Sequence, residues 1–387
     1  MHFDLTPEQK ELRQTIHDFA QREVAPRAEE LDRTGRFPVD LIRRVGEVGV
    51  MSIPFERELG GMGLGVFEAV LAIEELARAD QSLAVSTMVS MATGLTVARF
   101  GTEEQKRKWL PEIVSGQKIC AIAGTEPDAG SDTGGFKTRA TQLGNGQWSL
   151  SGEKAYITNA GTPLSLFTLI LAVSSPKQAE RKQFTLFLTP NDAPGYSRGN
   201  LYNKMGWKSS DTRPLFLDDC QLGEEAIVGA PHKGRYLLHK GYQAARLFLS
   251  ACSLGLAQAS LDHAIAYAQT RQAFGGSLGR LQLVQEMIAK MALKVDSARL
   301  VTYRAAWQVD QGIEDLGALS MAKLHATETG SEVANMAIQV HGGWGFMDDC
   351  PPSRYLRDNR ICTIGDGSSQ IQTLLIARAC GLDVSFA

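Results

Sequence analysis

The chain has little of what would announce a function at first sight. Its six cysteines (Cys120, Cys220, Cys252, Cys350, Cys362 and Cys380) are scattered through 387 residues without a Cys-x-x-Cys pair. They read as small buried residues in a reducing compartment, not as a zinc or disulfide framework. Seven histidines (2, 17, 232, 239, 263, 325 and 341) show no metal-ligand spacing, and His263 and His325 fall within amphipathic segments. No metal is expected. An excess of one charge is also missing, since 40 basic and 43 acidic residues leave a net charge of −3. Nucleic acid and anionic membranes therefore find no electrostatic footprint. The longest apolar run, 166–173, is too short to span a bilayer. Residues 1–20 lack both a signal peptide's basic head and apolar middle and a transit peptide's Arg/Ser bias. The cytoplasm is the expected compartment. The glycines of 60–65 do not follow a strand into a phosphate-binding turn, so neither a Rossmann nor a P-loop signature is present.

What is present is a change of period along the chain. Thr6-Pro7-Glu8-Gln9 is a capping box with proline at the first helical position. It opens a helical third that includes a glycine-rich break at 59–65 and a second capping box, Thr102-Glu103-Glu104-Gln105, whose short helix is expected to end near Pro111. From about 118 to 225, short β-rich runs alternate with turn clusters such as Gly144-Asn145-Gly146, which suggests a compact antiparallel sandwich or barrel. Helical periodicity returns in long segments at 243–271, 281–311 and 316–340, the last closing on Gly342-Gly343. These lengths suit a four-helix bundle. The expected class is α+β, with domains at 1–117, 118–232 and 233–387.

Near the end, Ile364-Gly365-Asp366-Gly367-Ser368-Ser369-Gln370 sets one carboxylate in a glycine-flanked turn before a helix that Ser368 or Ser369 can cap. The dipole of that helix is expected to hold the carboxylate ionised. Read together with Thr125-Glu126-Pro127-Asp128-Ala129-Gly130-Ser131-Asp132, Tyr156-Ile157-Thr158-Asn159 and Arg271-Gln272-Ala273-Phe274-Gly275, this turn makes the chain resemble the acyl-CoA dehydrogenase family along essentially its whole length. The family's late motif usually carries glutamate preceded by tyrosine; here the two positions are Asp366 and Gly365.

The resemblance implies the fold, two helical domains around a β-domain, and FAD as cofactor. It implies Asp366 as the base that removes the α-proton and Arg246, read as the start of the long helix, as its neighbour. Ile122, Thr125, Ser131, Tyr156 and Thr158 would line the flavin ring. Arg271, Phe274, Gln282, Gln339, Gly342 and Gly343 would meet the FAD of a neighbouring subunit, with Ser368 and Gln370 on the adenine side. Ser131, Gln243, Arg246, Gly365 and Gly367 would line the acyl thioester. Some relatives carry the base at the position of Ala245 or around Thr87–Val89, and neither place holds an acid here.

The activity implied is α,β-dehydrogenation of an acyl-CoA, with electrons passed to an electron-transfer flavoprotein by a homotetramer. Three other readings stand beside it: a dehydrogenase of acyl groups on a carrier protein, a flavin oxidase resembling nitroalkane oxidases, and a non-catalytic subunit of a heteromer. A shorter base and the ring missing at Gly365 point to a branched or alicyclic acyl group such as cyclohexanecarboxyl.

Overall fold

The computed structural model describes residues 4–176 and 179–384. The first capping box forms as read: Thr6 Oγ1 accepts the Gln9 amide at 3.2 Å while Gln9 Oε1 accepts the Thr6 amide at 3.0 Å. It opens α1 (Pro7–Phe19), followed by α2 (Ala28–Thr34) and α3 (Val39–Glu47). Next come α4 (Val66–Ala79) and α5 (Gln81–Phe100), both largely buried. The start of α4 is capped from far along the chain, because the Asp310 carboxylate accepts the Val66 and Phe67 amides at 2.7 and 2.8 Å. Helix α6 (Glu103–Val114) does not end at Pro111 as expected but runs one turn past it. Burial of Leu110, Ile113 and Val114 carries the helix over the missing amide.

Seven strands follow: β1 (Ile119–Ala123), β2 (Arg139–Gly144), β3 (Gln147–Thr158), β4 (Ser165–Val173), β5 (Phe184–Pro190), β6 (Tyr196–Arg198) and β7 (Thr212–Gly223). They form one sheet in the order β1-β4-β2-β3-β7-β6, with β5 on β4. The antiparallel expectation needs correction here, since the sheet is mixed and β1 runs parallel to β4. The β2–β3 hairpin lies between them in sequence, giving the chain the length that a parallel crossover needs. Strand β4 is buried on both faces. Phe167, Leu169, Leu171 and Val173 face one apolar cluster and Ile170 and Ala172 another, which explains why its sequence is apolar from 166 to 173 save for Thr168.

The C-terminal part contains α7 (Gly234–Thr270), a two-strand ribbon β8 (Gln272–Ala273) and β9 (Gly276–Ser277), α8 (Gln282–Asp310), α9 (Leu316–His341), α10 (Pro351–Asn359) and α11 (Ser369–Ala379). The long α7–α9 pack together, and α11 lies on α9 as the fourth helix of the bundle. Helix α7 starts nine residues before the expected 243, so Arg246 sits well inside it and the reading of Arg246 as a helix-start residue is wrong. Arg235, His239 and Lys240 interrupt the apolar stripe there and hide the first turns from a periodicity argument. Helices α5 and α7 are long and apolar enough to cross a membrane by length and composition, but most of each is buried within the fold. Five cysteines are buried as expected; Cys380 is exposed.

Candidate functional site

The turn at Asp366 is held tightly. Asp366 and Gly367 both take left-handed backbone angles, φ 51° and 91°, and three contacts fix them from behind. Lys323 Nζ, reaching from α9, donates to the Gly367 carbonyl at 2.8 Å, and Gln372 Nε2 donates to Gly367 O at 3.0 Å and Asp366 O at 3.3 Å. Ser368 is the cap of α11, accepting the Ile371 amide at 3.4 Å. Gly365 itself is not forced by its backbone. A Cβ there would meet only the Ile361 carbonyl at 3.6 Å, so the space beside the carboxylate is open.

The charge balance of Asp366 differs from the sequence expectation. Burial raises its carboxyl above the ordinary range, and the groups that oppose the rise are Lys323 first and Arg246 second. Two side-chain cations thus offset part of what burial costs the carboxylate. Arg246 is buried, its guanidinium lowered by desolvation and restored in part by Asp366 and Tyr242. Its Nε finds no hydrogen-bond partner among the described residues. Tyr242, one turn earlier on α7, has its hydroxyl raised by burial and further by the Asp366 charge. That hydroxyl also lies 3.3 Å from where a Cβ on Gly124 would stand. Tyr242 thus joins the Asp366 turn to the loop that follows β1.

That loop, 124–131, is tied down by a buried ion pair. Glu126 accepts the Lys137 and Thr138 amides at 2.5 and 2.9 Å and the Lys154 ammonium at 2.9 Å, while Lys154 Nζ also donates to Gly124 O at 3.0 Å. Burial lowers Lys154 to about 8, opposed by Glu126. The pair leaves Thr125 and Ser131 with no side-chain partner among the described residues, and Ile122 is half-buried in β1 beneath them. Tyr156 does not pack into the core as a strand aromatic commonly does. A break in register between Lys154 and Ile157 turns it outward, 62% exposed with φ 62°, beside Tyr202 at 5.1 Å. Thr158 follows at the strand's end, paired with Thr212.

The remaining residues gather at the far end of the bundle. Tyr267 of α7 stacks on His341 of α9 at 4.4 Å, which brings together the C-terminal ends of the two helices that precede Arg271 and Gly342. The start of α8, with Gln282, is bound to the same end by the cluster of Leu278, Leu281 and Val340. Gln339 is exposed, and its carbonyl receives the capping amide of Gly342. A Cβ added at Gly342 or Gly343 would meet nothing within 4 Å. Phe274 is 85% exposed, and the exposed Arg271 guanidinium has no partner among the described residues. Gln370, on the first turn of α11, lines an apolar groove of about 980 Å³ with Arg304, His325 and Glu328. Gln243 lies one turn before Arg246 on α7. It borders a separate cavity of about 290 Å³ between α5 and α7.

Twenty-five residues of α7 and its cap separate Arg246 from Arg271, about 37 Å along the helix. One chain therefore cannot present both arginines to one dinucleotide. The residues do fit FAD when taken from two chains: an unpaired guanidinium and an open diglycine cradle for the diphosphate, an outward aromatic and free hydroxyls for the ring. The sequence reading missed Lys323, Gln372, Tyr242 and the Glu126–Lys154 pair. Lys323 could have been found, because it falls on the buried stripe of Leu319, Ala322 and Ala326, where a lysine is out of place.

Comparison with known proteins agrees with this geometry. Family profiles match residues 6–117 (acyl-CoA dehydrogenase, N-terminal domain), 121–220 (middle domain) and 232–381 (C-terminal domain). The chain is 37% identical over 379 residues to a probable acyl-CoA dehydrogenase, YngJ, of Bacillus subtilis (strain 168), covering 98% of this chain and 99% of that one. It is 38% identical over 367 residues to the mitochondrial short-chain specific acyl-CoA dehydrogenase of Mus musculus, covering 95% and 88%. The structure of butyryl-CoA dehydrogenase from Megasphaera elsdenii superposes with a TM-score of 0.95 at 30% identity, over 99% of this chain and 100% of that one. The chain belongs to the acyl-CoA dehydrogenase family of FAD-dependent oxidoreductases.

Proposed function

We propose that the protein dehydrogenates an acyl-CoA thioester between Cα and Cβ with Asp366 as the base. The observation that carries this reading is the position of Asp366: a half-buried carboxylate, bracketed by two cations, facing through Tyr242 the loop expected to line the flavin. Asp366 takes the α-proton, and its own backbone amide donates to the thioester oxygen, where enolate charge develops. Bound FAD supplies the hydride acceptor for the β-carbon. Thr125, Ser131, Tyr156 and Thr158 hold the ring, while Arg271, Phe274, Gln282, Gln339, Gly342 and Gly343 of a second chain hold the diphosphate, with Ser368 and Gln370 toward the adenine. Arg246 keeps the base charged, and Gly365 and Gly367 let the thioester approach it.

Aspartate is one methylene shorter than glutamate, so its oxygens lie about 1.5 Å further back on an unchanged backbone. Misplacement near 1 Å costs about a hundredfold in rate, which favours a substrate whose α-carbon comes closer. The open space at Gly365 leaves room for width there. Both features support a branched or alicyclic acyl group, such as cyclohexanecarboxyl. A basic groove of about 470 Å³, lined by Lys182, His232, Lys233, Arg235 and His239, opens where α7 begins. Eleven residues, about 16 Å of helix, separate Arg235 from Arg246. That suits a pantetheine arm with its nucleotide phosphates in the groove. The same basic groove also supports the second reading, an acyl group carried on an acidic carrier protein. An electron-transfer flavoprotein as acceptor, a homotetramer and a cytoplasmic location complete the proposal. The tetramer is supported by the exposed Leu293, Leu300 and Trp307, which recur every seven residues along α8.

The test is anaerobic bleaching of the flavin by butyryl-, octanoyl-, isobutyryl- and cyclohexanecarboxyl-CoA, each also offered on a carrier protein. Fastest reduction by the branched or cyclic CoA thioesters is expected. A clear preference for a straight chain ends the proposal on acyl shape, and reduction only by carrier-bound thioesters replaces CoA with the carrier.

A further inference from the structure

We propose that Lys323 is a positioning residue of the reaction, holding the Asp366–Gly367 turn by its carbonyl while supplying the charge that keeps the neighbouring carboxylate ionised. This inference rests on Asp366 being the base. Lys323 is fully buried on α9, a placement that costs a lysine heavily unless its ammonium is used. Among the described residues its one hydrogen bond from Nζ is to Gly367 O at 2.8 Å. The carbonyl it grips belongs to the residue next to the base, in a stretch whose left-handed angles are unfavourable for aspartate without outside support. Gln372 grips the same carbonyl from the other side. With both donors present, the direction of the Asp366 side chain and of its amide is fixed by the bundle rather than by the turn.

The electrostatic half follows from the surroundings. The groups facing Asp366 are Tyr242, Arg246 and Cys252 on α7, Lys323 on α9 and Cys362 just before the turn; Glu328 bears on Lys323 from α9 itself. Burial holds both thiols and the tyrosine protonated. It also raises Asp366 and lowers Lys323 and Arg246, and the carboxylate and the two cations oppose this by favouring one another's charged forms. No direct ion pair joins Lys323 to Asp366 among the described residues, and the ammonium acts on it through space. Removing one cation leaves desolvation less opposed, which raises the pKa of the base. Since the base works deprotonated, the acid limb of the rate must move to higher pH.

The experiment is single-turnover flavin reduction against pH in Lys323→Gln, Lys323→Arg and Asp366→Asn, with FAD content and Tm measured alongside. Lys323→Gln keeps a donor but loses the charge. Its acid limb should move up by about one pH unit, and its plateau rate should fall about 10–100-fold, with FAD retained. Lys323→Arg should return the limb to its original place. An unchanged limb in Lys323→Gln, or a displaced limb in Lys323→Arg, overturns the proposal even if Tm falls, because a merely structural lysine would alter stability without moving the limb. Should Lys323→Gln not fold, Lys323→Met, which also removes the charge, takes its place with the same limb shift expected. If Asp366→Asn still reduces its flavin, the base assignment fails and this inference falls with it. If Asp366→Asn is inactive while the limb stays fixed, only the role of Lys323 is lost.

Discussion

Two stretches of α7, its interior around Arg246 and its C-terminal end at Arg271, make a contrast. Near Arg246 the chain closes on itself: Asp366 is flanked by Lys323 and Arg246, its turn is gripped by Gln372, and Tyr242 spans to the β-domain. Near Arg271 it stays open, with an unpaired guanidinium, an 85% exposed Phe274 and a diglycine that nothing covers. Both belong to one continuous helix. The difference is what the proposed arrangement requires: the chemistry assembled within a chain, and the cofactor's diphosphate end met by another chain. Exposure at the second end is not waste, since solvated arginine and aromatic surface is what a second subunit's ligand can desolvate.

The contrast can be broken by substitution. Asp366→Asn should have the largest effect, lowering flavin reduction by about 10²–10⁴-fold while the protein stays yellow and folded; stopped-flow reduction with a thioester checks it. The next largest effect should come from the buried pair that shapes the ring loop. Lys154→Met leaves Glu126 uncompensated in a dry site and should destabilise by about 3–5 kcal/mol, read by chemical denaturation, whereas changing both partners to apolar residues of similar volume should recover much of that loss. Arg271→Ala should weaken FAD retention about 10–100-fold with little change in the Tm of the FAD-free protein, because that end makes few contacts within its own chain. The smallest effect should come from Thr102→Ala, which removes the cap of α6 and should cost about 1 kcal/mol without altering flavin reduction at all.

Legibility in the sequence followed the range of the interactions. The capping boxes at Thr6 and Thr102, the strand run at 166–173 and the closing of α9 on Gly342 depend on neighbours in sequence, and they appeared where read. The start of α7 was hidden because Arg235 and His239 face a groove instead of the core and Lys240 borders a second cavity. The parallel pairing of β1 with β4 was hidden because it joins residues more than forty positions apart. The Asp366 turn was legible as a motif, but its electrostatics were not. Lys323 lies 43 positions upstream on another helix, and no local pattern reports how two cations and burial balance on one carboxylate. Tyr156 was readable as a flavin contact only through the resemblance; the register break that turns it outward was visible only in the sheet.

Pairing two damaged chains tests most directly whether the base and the diphosphate grip come from different subunits. Differently tagged Asp366→Asn and Arg271→Ala chains would be co-expressed, the mixed oligomer isolated through both tags, and its flavin bleached anaerobically with the preferred thioester at limiting FAD. In the mixed species, one site joins an intact Asp366 to an intact Arg271 from the other chain. The account predicts that about half of the sites hold FAD tightly and reduce it at the unmodified rate. If both residues served the same chain's cofactor, every site would carry one defect, and bleaching no better than that of the two parent oligomers would contradict the account.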